Sequence, residues 1–203
     1  MTAIDANSFD GDRVEAELAQ SSGVKYRRTS ISLVTMRQGN FVIVTGIDKE
    51  KKPFSDSQIE TIFSTFESVV DSNQTDTPKA LRQKIEAALA SLWTPCPASK
   101  KCPFNLTIKY ATRLVFHLHI LGWSFEEARM KLKTRFKPGE FSDLSWLSLN
   151  GKSQKPDSFS IIDKDSEKKV FEFALYTSAA QADDGGVTRI IIDPEADNTG
   201  LGP

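Results

Sequence analysis

Four side chains in this sequence have the chemistry of zinc ligands: Cys96, Cys102, His117 and His119. Thiolate sulfur and imidazole nitrogen are the donors a tetrahedral zinc site takes. Their spacing is poor for that purpose. Five residues lie between the cysteines and one between the histidines, whereas common zinc motifs have about two to four and about three to five. Backbone conformation matters more than spacing. Side chains two positions apart on a helix point about 200° from each other, while on a strand they share a face. A helix through His117 and His119 therefore excludes a shared ion. No metal and no cofactor is expected.

Nucleophilic catalysis needs a nucleophile, a base and a group that orients the base. Serines are plentiful, but none sits in a nucleophile elbow, and both cysteines fall in a proline-rich stretch with no helix start to lower their pKa. There is no phosphate-binding P-loop and no Gly-x-Gly-x-x-Gly after a strand; residues 183–186, DDGG, read as a loop. No catalytic residue is assigned, and the chain is not expected to be an enzyme.

The histidines lie in the longest apolar-rich stretch, residues 105–136. As a helix, residues 105–121 put Tyr110, Leu114, Leu118 and Leu121 on one face at spacings of four, four and three. As a strand, Leu114, Phe116, Leu118 and Ile120 line one side and Val115, His117, His119 and Leu121 the other. The length of the run and Gly122 at its end, where a helix takes a left-handed residue, favour the helix.

A second helix is expected over 124–137. Ser124 and Glu127 have capping-box spacing, and Phe125, Ala128, Leu132 and Phe136 mark a buried stripe. Its other faces carry Arg129, Lys131, Lys133, Arg135 and Lys137, a candidate surface for nucleic acid or another anion through backbone phosphates. Glu126 and Glu127 at its start argue against a base-reading helix-turn-helix. Residues 121–129, LGWSFEEAR, resemble the loop and helix start of ubiquitin-associated three-helix domains. The resemblance covers nine of 203 residues and implies only a helix start.

Around this centre, residues 31–36 and 41–47 are β-branched runs joined through Gly39 and Asn40, the pattern of a hairpin. Ser55 and Gln58 form another capping box, with Phe54 and Ile59 spaced as a hydrophobic staple. Ile59, Ile62, Phe63, Phe66, Val69 and Val70 then trace an amphipathic helix. Thr77 and Pro78 start the next, with Leu81, Ile85, Ala88, Leu89 and Leu92 in its core stripe and Trp93 sealing its end. Residues 141–149 read as a short apolar segment, a helical turn under the sheet. Residues 159–163, 170–176 and 187–192 read as strands.

Charge is nearly balanced, 26 basic against 27 acidic residues, so no global field draws the chain to nucleic acid or membrane. No run is long enough to span a bilayer and the N-terminus has no secretory signal, which implies a cytoplasmic or nuclear protein with free thiols. Arg27 and Arg28 precede Ser30 as basophilic kinases prefer, making Ser30 a candidate phosphorylation site.

The expected fold is α+β: an N-terminal hairpin and C-terminal strands in one largely antiparallel sheet, packed by a central group of about four helices. Residues 1–28 are expected to be a flexible acidic arm, 29–193 a single domain and 194–203 a disordered acidic tail. With no catalytic set, the expected function is protein interaction or self-assembly as a homo-oligomer, in the manner of a viral matrix-like or accessory structural component. RNA or anionic-surface binding through 124–137 is the alternative.

Overall fold

The computed structural model describes residues 25–49, 52–96, 106–133, 139–152, 154, 156–180, 186–192 and 195–199. The hairpin forms as β1 (Arg28–Arg37) and β2 (Asn40–Ile47). Its two-residue turn is Gln38 and Gly39, both at positive φ (50° and 73°), the geometry that matches strand twist. Asn40 is thus the first residue of β2 rather than part of the turn, and its amide donates to the Gln38 carbonyl at 3.0 Å.

Both expected caps are present. Helix α1 (Asp56–Ser72) opens with the Ser55 hydroxyl accepting from the Gln58 amide, while the Gln58 side chain accepts from the Ser55 amide. Helix α2 (Pro78–Leu89) starts at Thr77, whose hydroxyl accepts from the Ala80 amide, with proline where its missing N–H costs nothing. Trp93 is fully buried against Gly46 of β2, where a Cβ would stand 2.2 Å from the indole ring. Glycine is needed there for close approach.

The remaining strands are β3 (Thr94–Pro95), β4 (Leu106–Ile108), β5 (Thr112–Leu118), β6 (Trp123–Leu132), β7 (Phe141–Trp146), β8 (Ser158–Asp163), β9 (Lys168–Ala180), β10 (Val187–Ile192) and β11 (Glu195–Thr199). One sheet, A, has the order β3-β2-β1-β5-β8-β7; its pairs are antiparallel except β1 with β5. In the second sheet, B, β9 pairs with β6 and with the β10–β11 run, and β4 follows β11. β10 and β11 keep one register against β9, with Ile192 opposite Leu175 and Glu195 opposite Glu172.

The result is three layers: helices, sheet A, sheet B. Ile31, Leu33, Val42, Val44 and Val115 meet the buried faces of α1 and α2. Leu114, Phe116, Phe159 and Phe141 of sheet A meet Phe125, Phe171, Phe173 and Leu175 of sheet B. Phe rings cross that seam edge-on or stacked, with centroids of Phe125 and Phe159 4.8 Å apart and those of Phe141 and Phe171 5.0 Å apart.

Two sheets and two helices among the described residues replace the expected single sheet under about four helices. The stretch 105–121 is not a helix: it supplies β4 and β5, and β5 is the middle of sheet A. Buried on both faces, such a strand reads as a continuous apolar run instead of an alternation. The stretch 124–137 is not a helix either. Ser124 lies opposite Ser178 in β6, and the register shift between Phe125 and Met130 breaks the alternation that would have revealed a strand. The helix start implied by residues 121–129 falls with it. Residues 141–146 are an edge strand, not a helical turn. Residues 195–199, expected to lie in a disordered tail, pair with β9 and β4. Residues 1–24 of the N-terminal arm, and Cys102, Arg135 and Lys137, lie outside the described residues.

Candidate functional site

With β5 a strand, His117 and His119 share the face turned toward α1. Two turns of that helix answer them: Glu67 and Asp71 stand four residues apart, so they project from the same side. His117 Nε2 lies 3.1 Å from a Glu67 carboxylate oxygen, and His119 Nε2 lies 2.9 Å from Asp71. The two pairs clamp α1 onto the sheet in unlike settings. His117 is buried, whereas His119 is about a third exposed and Asp71 mostly so.

The His117 ring stacks on Phe63, centroids 4.0 Å apart and 11° from parallel, and meets Phe66 edge-on. Its Nδ1 lies 2.8 Å from the Ser158 hydroxyl, which donates to Asp157 at 2.9 Å. Asp157, Ser158, His117 and Glu67 thus form a chain of three polar contacts. Ser158 and a neutral imidazole bring two protons to it, so all three contacts are made together only when a third proton is present.

This chain floors a cleft of about 540 Å³ between α1 and the segment after β7, lined also by Glu60, Leu147, Leu149 and Lys152. Lys152 forms an ion pair with Glu60, and the Asn150 side chain donates to the same carboxylate at 2.7 Å. Hydrogen bonding to Lys152 holds Glu60 below the ordinary carboxylate range, with burial opposing it. Glu60, Glu67 and Asp157 are each met by a side chain of the chain itself. The cleft is tied together from within.

Of the four residues considered as zinc ligands the structure describes three, Cys96, His117 and His119. Cys96 packs beside the hydrophobic core, and burial pushes its thiol up to about 11 against the pull of Arg28. A thiol held that high is protonated at neutral pH and is a weak ligand and nucleophile. Among the described residues no three His, Cys, Asp or Glu side chains gather as they would around a metal ion. Ser30 is buried in β1 between β2 and β5, so a kinase reaches it only if that strand leaves the sheet. Arg28, just before it, is tied to Asp48 at 2.9 Å.

Of the five basic residues of 124–137 the structure describes Arg129, Lys131 and Lys133. Arg129, at positive φ (56°) in the β6 bulge, lays its guanidinium over Trp146, 4.7 Å from the ring centroid, joining sheet B to the edge of sheet A. Lys131 of β6 lies opposite Ala174 of β9, and Lys133, one residue past the strand, donates its amide to the Glu172 carbonyl. A strand does not give them the two stacked rows of a helix.

Sequence reasoning missed sheet B's outer face. Phe171, Phe173 and Leu175 of β9 point to the core, so Val170, Glu172 and Tyr176 point away from it, as does Ala174, which is nonetheless buried. Ile191 of β10 lies opposite Tyr176, and Val187 opposite Ala180, on that outward face. Val170, Val187 and Ile191 are about half exposed. That 187–192 forms a strand was readable in the sequence, but which of its faces would stay exposed was not.

Compared with protein-family models and with curated proteins, the chain finds no match. Among the described residues no helix is long and apolar enough to cross a membrane, which leaves β-barrel membrane proteins unaddressed.

Proposed function

We propose that this chain is a non-enzymatic self-assembly protein whose copies associate through sheet B. One observation carries the reading. Four large apolar side chains are exposed among the described residues, and three of them, Val170, Val187 and Ile191, lie on the outward face of that sheet. Scattered single apolar residues are ordinary on a surface; three that share one sheet face, spread along β9 from Val170 to the position opposite Ala180, make that face the candidate contact surface. The His117 cleft supports the same reading from the other side, because its polar groups hold α1 to the sheet and to one another.

The test is molar mass by light scattering, with absorbance at 260 and 280 nm, across a wide concentration range. A mass that rises with concentration and clean protein absorbance supports self-assembly. A monomer throughout contradicts it. A particle that carries nucleic acid and releases it in high salt favours instead backbone binding by Arg129 and Lys131 of β6 and the adjoining Lys133, since phosphate contacts weaken as counterions return.

A further inference from the structure

Asn150 is the one asparagine in the sequence that glycine follows. The pair makes the turn that comes after β7. Lys152 donates its amide to the Leu149 carbonyl at 2.9 Å, and the residues between them, Asn150 and Gly151, both lie at positive φ, 49° and 71°. Positive φ at both central residues marks a type I′ turn, which favours Asn-Gly. Both residues are exposed. The turn is also fastened to α1. The Asn150 backbone N–H donates to Asp56 at 2.9 Å, and its side-chain Nδ2 donates at 2.7 Å to Glu60, which lies one turn further along the same side of the helix. Lys152 holds the other oxygen of that carboxylate. Leu149 and Lys152, on either side of the pair, line the His117 cleft.

We infer that Asn150 is a site of spontaneous deamidation, and that its conversion to a carboxylate releases this turn from α1. The site lies against α1, on the far side of sheet A from sheet B, so it is independent of the self-assembly reading. The only co-reactant is water, and nothing is oxidised or reduced. The Gly151 amide nitrogen gives its proton to hydroxide and attacks Cγ of the Asn150 side chain. A bond forms between that nitrogen and Cγ, the Cγ–Nδ2 bond breaks, and Nδ2 leaves as ammonia after taking a proton from water. Water then opens the resulting succinimide. Addition at Cγ gives aspartate; addition at the main-chain carbonyl carbon gives isoaspartate, with the chain routed through Cγ. Glycine favours the closure because it has no Cβ to obstruct the approach, and exposure of both residues admits water and hydroxide. The bond to Glu60 restrains the amide, so the folded chain reacts more slowly than a free peptide of the same sequence. Either product replaces a donor by a group that only accepts. A carboxylate at 150 gives Glu60 no hydrogen bond and meets Glu60 and Asp56 as a like charge, with Lys152 left to offset all three. Isoaspartate also adds a carbon to the turn backbone and spoils the geometry that presents the N–H to Asp56.

The experiment ages the full chain at mildly alkaline pH, beside a synthetic peptide of residues 146–154, until well after the peptide has lost its amide. Peptide mapping with electron-transfer fragmentation separates aspartate from isoaspartate. The expected result is acid at 150 in both linkages, while Asn40, also exposed but followed by phenylalanine, stays an amide. A folded chain whose Asn150 stays an amide, or converts no faster than Asn40, overturns the modification site. Asn150→Asp carries the product charge without ageing and tests the consequence. Glu60 is held low first by its bond to Lys152 and also by the bond from Asn150, so carboxyl-detected NMR should show its midpoint shifted upward in the variant. Aged wild type compared with fresh gives the same reading without a substitution. A Glu60 midpoint unmoved in both overturns the release of the turn from α1.

Discussion

Replacing His117 by alanine tests whether the central stretch is the strand described above. The ring is buried, stacked on Phe63 and edge-on to Phe66, and its two nitrogens meet Ser158 and Glu67. Truncating a buried phenylalanine costs about 3–5 kcal/mol. The imidazole is smaller and borders the cleft, where water can partly fill the space, which brings the packing share to about 2–3 kcal/mol. Leaving the Ser158 hydroxyl and the Glu67 carboxylate without the ring adds roughly 0.5–1 kcal/mol, kept low because that carboxylate is itself partly solvated. The sum is about 3 kcal/mol, or a fall of about 1–2 M in urea midpoint. Urea denaturation followed by circular dichroism reads it directly. His119→Ala, two residues along the same face but partly exposed and paired with a solvated Asp71, should cost no more than about 0.5 kcal/mol. A double-mutant cycle between His117→Ala and Glu67→Ala should return a coupling of about 0.5–1 kcal/mol. Equal, small losses at both histidines, with no coupling to Glu67, would refute the clamp and the strand that presents it.

Two further perturbations probe other parts of the structure. Gly46→Ala forces a Cβ into the Trp93 ring and should lower the thermal midpoint by several degrees, as overpacking by about 1–3 kcal/mol implies; an unchanged midpoint would remove Trp93 from β2. Glu60, whose folded-state pKa is depressed chiefly by its hydrogen bond to Lys152, adds stability at pH values above the unfolded carboxylate pKa and loses it as pH falls through the depressed folded value. Carboxyl-detected NMR titration should therefore show a low Glu60 midpoint that moves up in Lys152→Ala; a midpoint indifferent to Lys152 would contradict the strap across the cleft.

The sequence announced those parts of the fold whose signals are local. The Ser55–Gln58 capping box, Pro78 at a helix start and the alternation of Phe171, Phe173 and Leu175 each report on a few neighbouring residues, and each forms as expected. The errors fell where tertiary context overrides the local pattern. β5 is covered by helices on one face and sheet B on the other, so Leu114 to Leu118 are all buried and the period of two disappears. Tyr110, Leu114, Leu118 and Leu121 then imitate a helical stripe, although Leu121 is fully exposed in a turn. In β6 a bulge performs the same disguise, and Gly122 with its positive φ serves a strand-to-strand turn where it resembled a helix end. The candidate site followed the backbone. His117 and His119 drew notice as chemistry-bearing residues, and the strand alternative already placed them on one face. Their partners Glu67, Asp71 and Ser158 lie about forty to fifty positions away and had no signal linking them to the histidines.

Hydroxyl-radical footprinting of the full chain, mapped by peptide mass at rising protein concentration, tests self-association through the outward face of sheet B most directly. Labelling of Val170, Val187 and Ile191 should fall as concentration rises, while Leu121, exposed in the turn before β6, keeps its rate. Labelling that is the same at every concentration, in a sample whose molar mass grows, would place the contact elsewhere. The same constancy in a sample that stays monomeric would contradict self-assembly itself.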